Sequence, residues 1–557
     1  MKKHLFLILA PACTLFFIGN GVAQVATPVL PKTTQKKAPE APKQPTQPPT
    51  EAPAKAPATT PATNEPSHIQ EATNAYNAGI KALGNNDLTN AAVHFEKAVQ
   101  LSPNDANANL YLGYVRLKQQ DWKKAVTALE KAKSNINSLD DSLRPILWNN
   151  LGLAYAKTDR PDDALKAYNE ALKLKSDYVD ARYNLAFAQL AKKDYKNALT
   201  NLLPLRNVNT DDKAFQTTVY NGIATAYQGL NDWSNALGAY RKVVQLNVND
   251  VDSRFNFALA LKNAGRTSEA IGQLQTLLKL RSTYTPAISL LGDIYLSQRK
   301  WGDAAKAFEQ YTKVAPDEFN GWFNLGVAYD HAASFDNALA AYAKAETINP
   351  KDASVKNNIG RIYFKREKYD DAAAKLQEAL KLNPDFDDAR LNLGLVLMAQ
   401  EKWPDAAAQW KIYLTTLRDQ LAAPDVTAAE KKSIAARGAD AHSALALCYM
   451  QDGLYADARD QYKKLLIAQP KNEDAKINLA LCYYHTRNFT ESIKLNREVI
   501  AANPKSAIAY NNLGVALEGM NRIGEAVDNY QKAVEIDPNY SDAKSNLARL
   551  DAKTATS

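Results

Sequence analysis

Nine asparagines return along this chain at one register: Asn77, Asn150, Asn184, Asn256, Asn324, Asn358, Asn392, Asn478 and Asn512. A carboxamide carries both donor and acceptor, so a row of them can satisfy the backbone of an extended peptide whatever its sequence. One residue before three of them stand Tyr183, Phe255 and Phe323, with Phe187 one helical turn on. Aromatic anchors with large area and few rotors suit binding hot spots. Arg361, close to Asn357 and Asn358, is the one cation at a register that could grip a carboxylate. The candidate binding residues are therefore Asn150, Asn184, Asn256, Asn324, Asn358, Asn392, Asn478, Asn512, Tyr183, Phe187, Phe255, Phe323 and Arg361. A second reading stays open for all of them: the asparagines could support contacts between helices, and the rings could pack between neighbouring units.

Other chemistries find little material. There is no His-Glu-x-x-His, no glycine-rich phosphate loop, no Gly-x-Ser-x-Gly and no paired-cysteine metal motif. The six histidines are scattered, with no two at a ligand spacing within a helix. The expectation is a chain with no catalytic residue, no cofactor and no metal. Cys448 and Cys482 lie 34 apart in the same register. Equivalent atoms of stacked helix pairs sit roughly 10 Å apart, too far for a disulfide, so buried thiols acting as small apolar groups are expected.

What positions the asparagines is a period. A small residue recurs at Ala91, Ala125, Ala164, Ala198, Ala236, Ala270, Ala304, Ala338, Ala372, Ala406, Ala458, Ser492 and Ala526, and nine of the twelve intervals are 34. Twelve residues before each anchor stands another Gly or Ala, and four after it the chain is bulky in twelve of thirteen units. Small and large residues at these spacings share one helix face and let two helices approach closely. Pro follows twelve residues past the anchor in seven units, where it ends the second helix. Each unit reads helix, turn, helix, turn. All seven Trp fall on framework registers of this unit.

The pattern resembles the tetratricopeptide repeat, whose motif is met in Trp148-x-x-Leu151-Gly152-x-x-Tyr155 with Ala164, Tyr168 and Ala171, and again in Trp322-x-x-Leu325-Gly326-x-x-Tyr329 with Ala338, Tyr342, Ala345 and Pro350. The resemblance implies an all-α fold, an α-solenoid whose thirteen helix-turn-helix repeats wind into a right-handed superhelix, with first helices lining the inner face. It also implies an asparagine ladder like that of the superhelical O-linked N-acetylglucosamine transferase array. Departures from the pattern are Ser492, Asn496 in place of a bulky residue, and Arg116 where an aromatic is usual.

The expected organisation is a signal peptide at 1–23, a Pro/Ala-rich disordered tether at 24–67, thirteen repeats at 68–540, and a capping helix with tail at 541–557. The signal rests on Lys2 and Lys3 before an apolar run from Leu5 to Ile18 and a small-residue site at Ala23; retention as an anchor is the rival. Eleven of 25 prolines fall between Gln24 and Ser67, with no aromatic residue, so that segment cannot bury a core. The formal charge of +8 over 557 residues is too dilute for a nucleic-acid footprint. Between Ala406 and Ala458 the chain holds 18 residues beyond the period, an insertion placed within 419–438. Eighteen residues make about five helical turns, so two neighbouring helices are expected to lengthen by about two and a half turns each, with Thr427 and Glu430 as a capping box.

These features predict an exported, non-enzymatic scaffold, periplasmic or in the cell envelope of a bacterium, that binds partner proteins or extended peptides in its groove. The alternative is a structural assembly factor of a secretion or polysaccharide-export machine in the envelope, with membrane-associated machinery as partner. Partner identity and oligomeric state are not legible in the sequence.

Overall fold

A computed structural model describes residues 67–554; the expected signal and all but the last residue of the expected tether lie outside the described residues. Among those residues there are 27 α-helices, one short 3-10 turn at Ile136–Ser138 and no strand. The chain is an α-solenoid. Its residues group into two bodies that divide after Ile294, within the first helix of repeat 7 (Thr285–Ser297).

Small residues set the distance between the two helices of a repeat. A Cβ on Gly326 would come within 2.5 Å of the Tyr342 ring, one on Gly152 within 2.5 Å of Tyr168, and one on Gly514 within 2.7 Å of Tyr530. The bulky residue four past the anchor thus sits directly on the small residue of the facing helix, and the anchors Ala164, Ala338 and Ala526 have no exposed surface. Between the two helices one residue, five before the anchor, takes a positive φ in all thirteen repeats. Only Gly265 and Gly453 of these are glycine; the others include Asn86, Lys193, Ala333 and Glu401. A left-handed residue costs an L side chain about 1–2 kcal/mol, so the helix packing on either side has to impose the turn. In the first body Asp87, Asp121, Asp194 and Asp232 then cap the second helix by accepting a backbone N–H.

In each body the first helices of successive repeats pack on one another: repeats 2 on 3, 3 on 4 and 4 on 5 in the first, 9 on 10 and 12 on 13 in the second. No two successive second helices touch as extensively. First helices therefore line the inner side of each body.

The insertion is helical but unevenly shared. Trp403–Ala422 has 20 residues and Ala428–Gln451 has 24, against 14 and 13 in repeat 8. The second helix takes the larger part because the capping box of Thr427 and Glu430 starts it early. Leu417 and Ile434 are buried within the hairpin. Gln420 donates to Asp387 at 2.6 Å and accepts from Arg437 at 3.0 Å, tying the hairpin to the first helix of repeat 10 (Asp387–Ala399). At the far end, the helix Ser541–Thr554 lies against repeat 13, with Leu550 buried and Arg549 paired to Glu518 at 2.6 Å. Cys448 and Cys482 are free and buried, and burial pushes both thiols up to about 12.

Candidate functional site

The inner positions of a first helix stand 18, 15, 14 and 11 residues before the anchor, one stripe at helical spacing. The asparagines occupy the third of these. Their surroundings divide them.

In the first body Asn150 is buried, Asn184 is half-buried and Asn256 is exposed. Asn184 donates from Nδ2 to Oδ1 of Asn149 at 2.9 Å. This bond joins the first helices of repeats 3 (Arg144–Lys157) and 4 (Val179–Ala191). Around them the rings stay half-buried: Tyr183 lies 4.6 Å from Phe187 and 5.7 Å from Phe215, and Phe255 meets Tyr284 edge-on at 5.7 Å. Gly222 takes the asparagine place in repeat 5, and a Cβ there would come within 3.1 Å of the Phe187 ring.

In the second body Asn324, Asn358, Asn478 and Asn512 are buried, while Asn392 is half-buried and makes the same kind of bond as Asn184. Asn392 donates to Asn357 Oδ1 at 2.9 Å, Asn357 to Asn358 Oδ1 at 3.5 Å, and Asn358 to the Tyr342 hydroxyl at 3.3 Å. Four polar side chains of repeats 8 to 10 thus form one chain of amides ending on a buried phenol. Asn546 repeats the first link on Asn511 at 3.0 Å, and Asn511 donates to Asn512 at 3.3 Å. Beside Asn478 stands the Tyr462 ring at the place of Tyr342, but Ile477 precedes it where Asn357 precedes Asn358, and its Oδ1 is buried with no partner. For Asn512 the missing partner is the phenol: Asn496 stands in its place, and Asn512 Nδ2 and Asn496 Oδ1 are both buried without a hydrogen bond.

Two expected groove residues are corrected. Phe323 is 8% exposed and packs at 5.5 Å on Phe319 and 5.9 Å on Tyr342, so it is a core ring. Arg361 pairs with the buried Asp330, which Lys365 also contacts at 2.9 Å. A guanidinium held in this way is not a clamp for a partner's carboxylate.

Among the described residues the accessible expected positions gather in one inner stretch, Tyr183, Asn184, Phe187, Phe255 and Asn256 in repeats 4 to 6, with the half-buried Asn392 alone in the second body. Sequence reasoning passed over Phe215, Tyr284 and the clasp partner Asn149. Phe215 and Tyr284 lie before the inner stripe, near the starts of their helices; the Asn149-Asn150 doublet was the available signal for the clasp. Among the described residues no group of His, Cys, Asp or Glu could hold a metal ion.

Sequence profiles described as "Tetratricopeptide repeat" match residues 104–177, 155–219, 221–284, 289–353, 420–473, 444–507 and 507–540, and one described as "TPR repeat" matches 360–401. Among curated relatives, the peroxisomal targeting signal receptor of Saccharomyces cerevisiae is 34% identical over 119 residues, 21% of this chain and 19% of that protein. Protein O-mannosyl-transferase TMTC3 of Homo sapiens is 26% identical over 270 residues, 47% of this chain and 28% of that one. The matches to these relatives span less than a third of the relatives' own length. Among solved structures, the MamA protein aligns at 24% identity and TM-score 0.29 over 30% of this chain and 92% of its own. YrrB, described as a TPR protein with an unusual peptide-binding site, aligns at 22% and 0.29 over 32% and 89%.

Proposed function

This chain belongs to the tetratricopeptide repeat family, and from that premise we propose an exported, non-enzymatic scaffold that holds a partner protein's extended segment against the inner face of repeats 4 to 6. A protein-interaction scaffold is the role the family match supports. The observation that carries the placement is the half-buried aromatic row Tyr183, Phe187, Phe215 and Phe255 beside the exposed Asn256. Buried aromatic area left facing solvent on an inner surface gains most from a partner that covers it. The asparagines of the second body support its packing and are left out of the binding surface. Export to the periplasm or cell envelope of a bacterium rests on the charged, apolar and small-residue order of residues 1–23.

Photo-crosslinkers placed singly at Asn256, in the inner stretch, and at Lys344, exposed on the second helix of repeat 8, test the placement in native cells. Partner adducts from position 256 and none from 344 are expected. Adducts confined to 344 would refute the inner placement. N-terminal sequencing of the mature chain tests export, with Gln24 expected as the first residue.

A second reading is favoured by the ordered hairpin of repeats 10 and 11. Its long helices are stabilised by a capping box and by the Gln420, Asp387 and Arg437 contacts. In that reading the chain is a structural assembly factor of an envelope secretion or polysaccharide-export machine, docked to membrane-associated partners through the hairpin. Adducts from the exposed Lys432 at the hairpin tip, with none from 256, are the result that selects it.

A further inference from the structure

The inner stripe of repeats 4 to 6 has a charge character of its own. Its twelve positions are Asp180, Tyr183, Asn184 and Phe187, then Thr218, Asn221, Gly222 and Thr225, then Asp252, Phe255, Asn256 and Leu259. Two are carboxylates, three are aromatic and none is a cation. Asp180 and Asp252 are both exposed, each one helical turn before an asparagine of the stripe. Asp252 accepts from the Tyr284 hydroxyl at 2.6 Å, which fixes the carboxylate beside the Phe255 and Tyr284 rings. The setting on the inner face pushes the Asp180 carboxyl up, and Lys118 of repeat 2 pulls it part of the way back. The Arg281 guanidinium lies 5.5 Å over the Tyr284 ring. Both kinds of group on this face therefore already engage positive charge.

Resting on the inner-face reading above, we propose that repeats 4 to 6 take an extended segment of a partner protein that carries lysine or arginine side chains. Asp180 and Asp252 pair with two of its cations, and Tyr183, Phe187, Phe215 and Phe255 receive the aliphatic stems and the charged heads between them. Carboxylate pairs with guanidinium or ammonium form strong charge-assisted hydrogen bonds, and aromatic faces add cation–π attraction. Charge complementarity is what selects this occupant: the twelve stripe positions carry two carboxylates and no cation, and the neighbouring Lys118 and Arg281 stand off the stripe. The spacing is also set. Packed helices lie about 8–10 Å apart, so carboxylates two repeats apart are separated by roughly 20 Å. At about 3.3 Å per residue of extended chain, the two cations stand about six residues apart.

Fluorescence anisotropy with the full chain and labelled Ala/Ser peptides of about twelve residues tests this. One peptide carries two Lys six residues apart, one two Arg, one two Gln and one two Glu. The cationic peptides are expected to bind at least tenfold more tightly than the Gln peptide, and the advantage is expected to shrink as salt screens it. In the double variant Asp180→Asn, Asp252→Asn the advantage is expected to vanish while binding of the Gln peptide is unchanged. Both positions are exposed, so circular dichroism and melting should match the wild type. Equal binding of Gln and Lys peptides, or a preference that survives in the double variant, would overturn the inference and leave the inner-face reading standing. No binding of any peptide, together with no adducts from position 256 in cells, would remove both. Carboxylate-to-lysine crosslinks from Asp180 or Asp252 to Lys32, Lys36, Lys37, Lys43 or Lys55 of the same chain would overturn it differently, by identifying the occupant as this chain's own N-terminal segment.

Discussion

Two buried aspartates, one in each body, meet opposite fates. Asp330 has a side chain 1% exposed, at the end of the first helix of repeat 8 (Phe319–His331). Burial pushes its carboxyl up, but Arg361 and Lys365, one turn apart on the next first helix, pull it further down, below the usual carboxylate range. Asp293, 9% exposed on the first helix of repeat 7, has an Oδ1 with no hydrogen-bond partner. Burial raises its pKa and Lys262 pulls it only part of the way back, leaving it at about 6. The backbone repeats along the chain and its inner charges do not. Asp330 is satisfied because the neighbouring repeat supplies two cations one turn apart on its helix, which Asp293 lacks.

The largest effect expected from breaking this contrast is at Asp330. Asp330→Ala leaves Arg361 and Lys365 without their shared anion, and breaking a buried pair typically costs 3–5 kcal/mol. Both cations keep some access to water, so about 3 kcal/mol is expected, read as faster hydrogen exchange in repeats 8 and 9. Because the folded pKa is lowered, the contribution is present above the unfolded value near 3.9 and lost as pH falls through the folded one. The gap between variant and wild type should therefore close in acid.

Asp293 should behave in the opposite sense. Its folded pKa is raised, so stability is greatest below about pH 4, falls as pH rises towards 6, and is flat above. Two pKa units correspond to about 2.7 kcal/mol. Asp293→Asn should thus stabilise repeats 6 and 7 by about 2–3 kcal/mol at pH 7 and leave them unchanged at pH 4. A variant whose urea midpoint tracks the wild type across that range would show that the carboxylate is solvated in solution.

The sequence register made the solenoid, its helix pairs and the close approach at Gly152 and Gly326 legible, because small-on-large packing depends on residue type at fixed spacing. The inter-helix turn was not legible in the same way. Gly, Asn or Asp holds it in six of thirteen repeats, but Lys193, Ala333 or Glu401 serves in others, so side-chain identity marks the strain only in part. The asparagine row was visible, but whether an amide faces solvent depends on what the neighbouring repeat offers. Asn358 is closed by Tyr342 and Asn357, whereas Asn256 follows Phe255 and remains exposed. Arg361 looked available for the same reason: its partner Asp330 lies 31 residues away and belongs to no motif.

The smallest and sharpest test compares amides. Asn357 accepts from Asn392 and donates to Asn358, so Asn357→Ala leaves a donor on one neighbour and an acceptor on the other. Buried groups left unpaired cost about 1–3 kcal/mol, and Asn392 is half-buried and can turn to water, which places the expected loss near 1–2 kcal/mol. Asn256→Ala removes an exposed amide and should change stability by less than about 0.5 kcal/mol. A double-mutant cycle of Asn357→Ala with Asn392→Ala isolates the clasp, because each single change removes the bond once and the pair cannot remove it twice. A coupling of about 0.5–1.5 kcal/mol is expected for one such hydrogen bond. Zero coupling would mean that the inter-repeat amides are solvated in solution, and the asparagines of the second body would then return to the list of groups open to a partner.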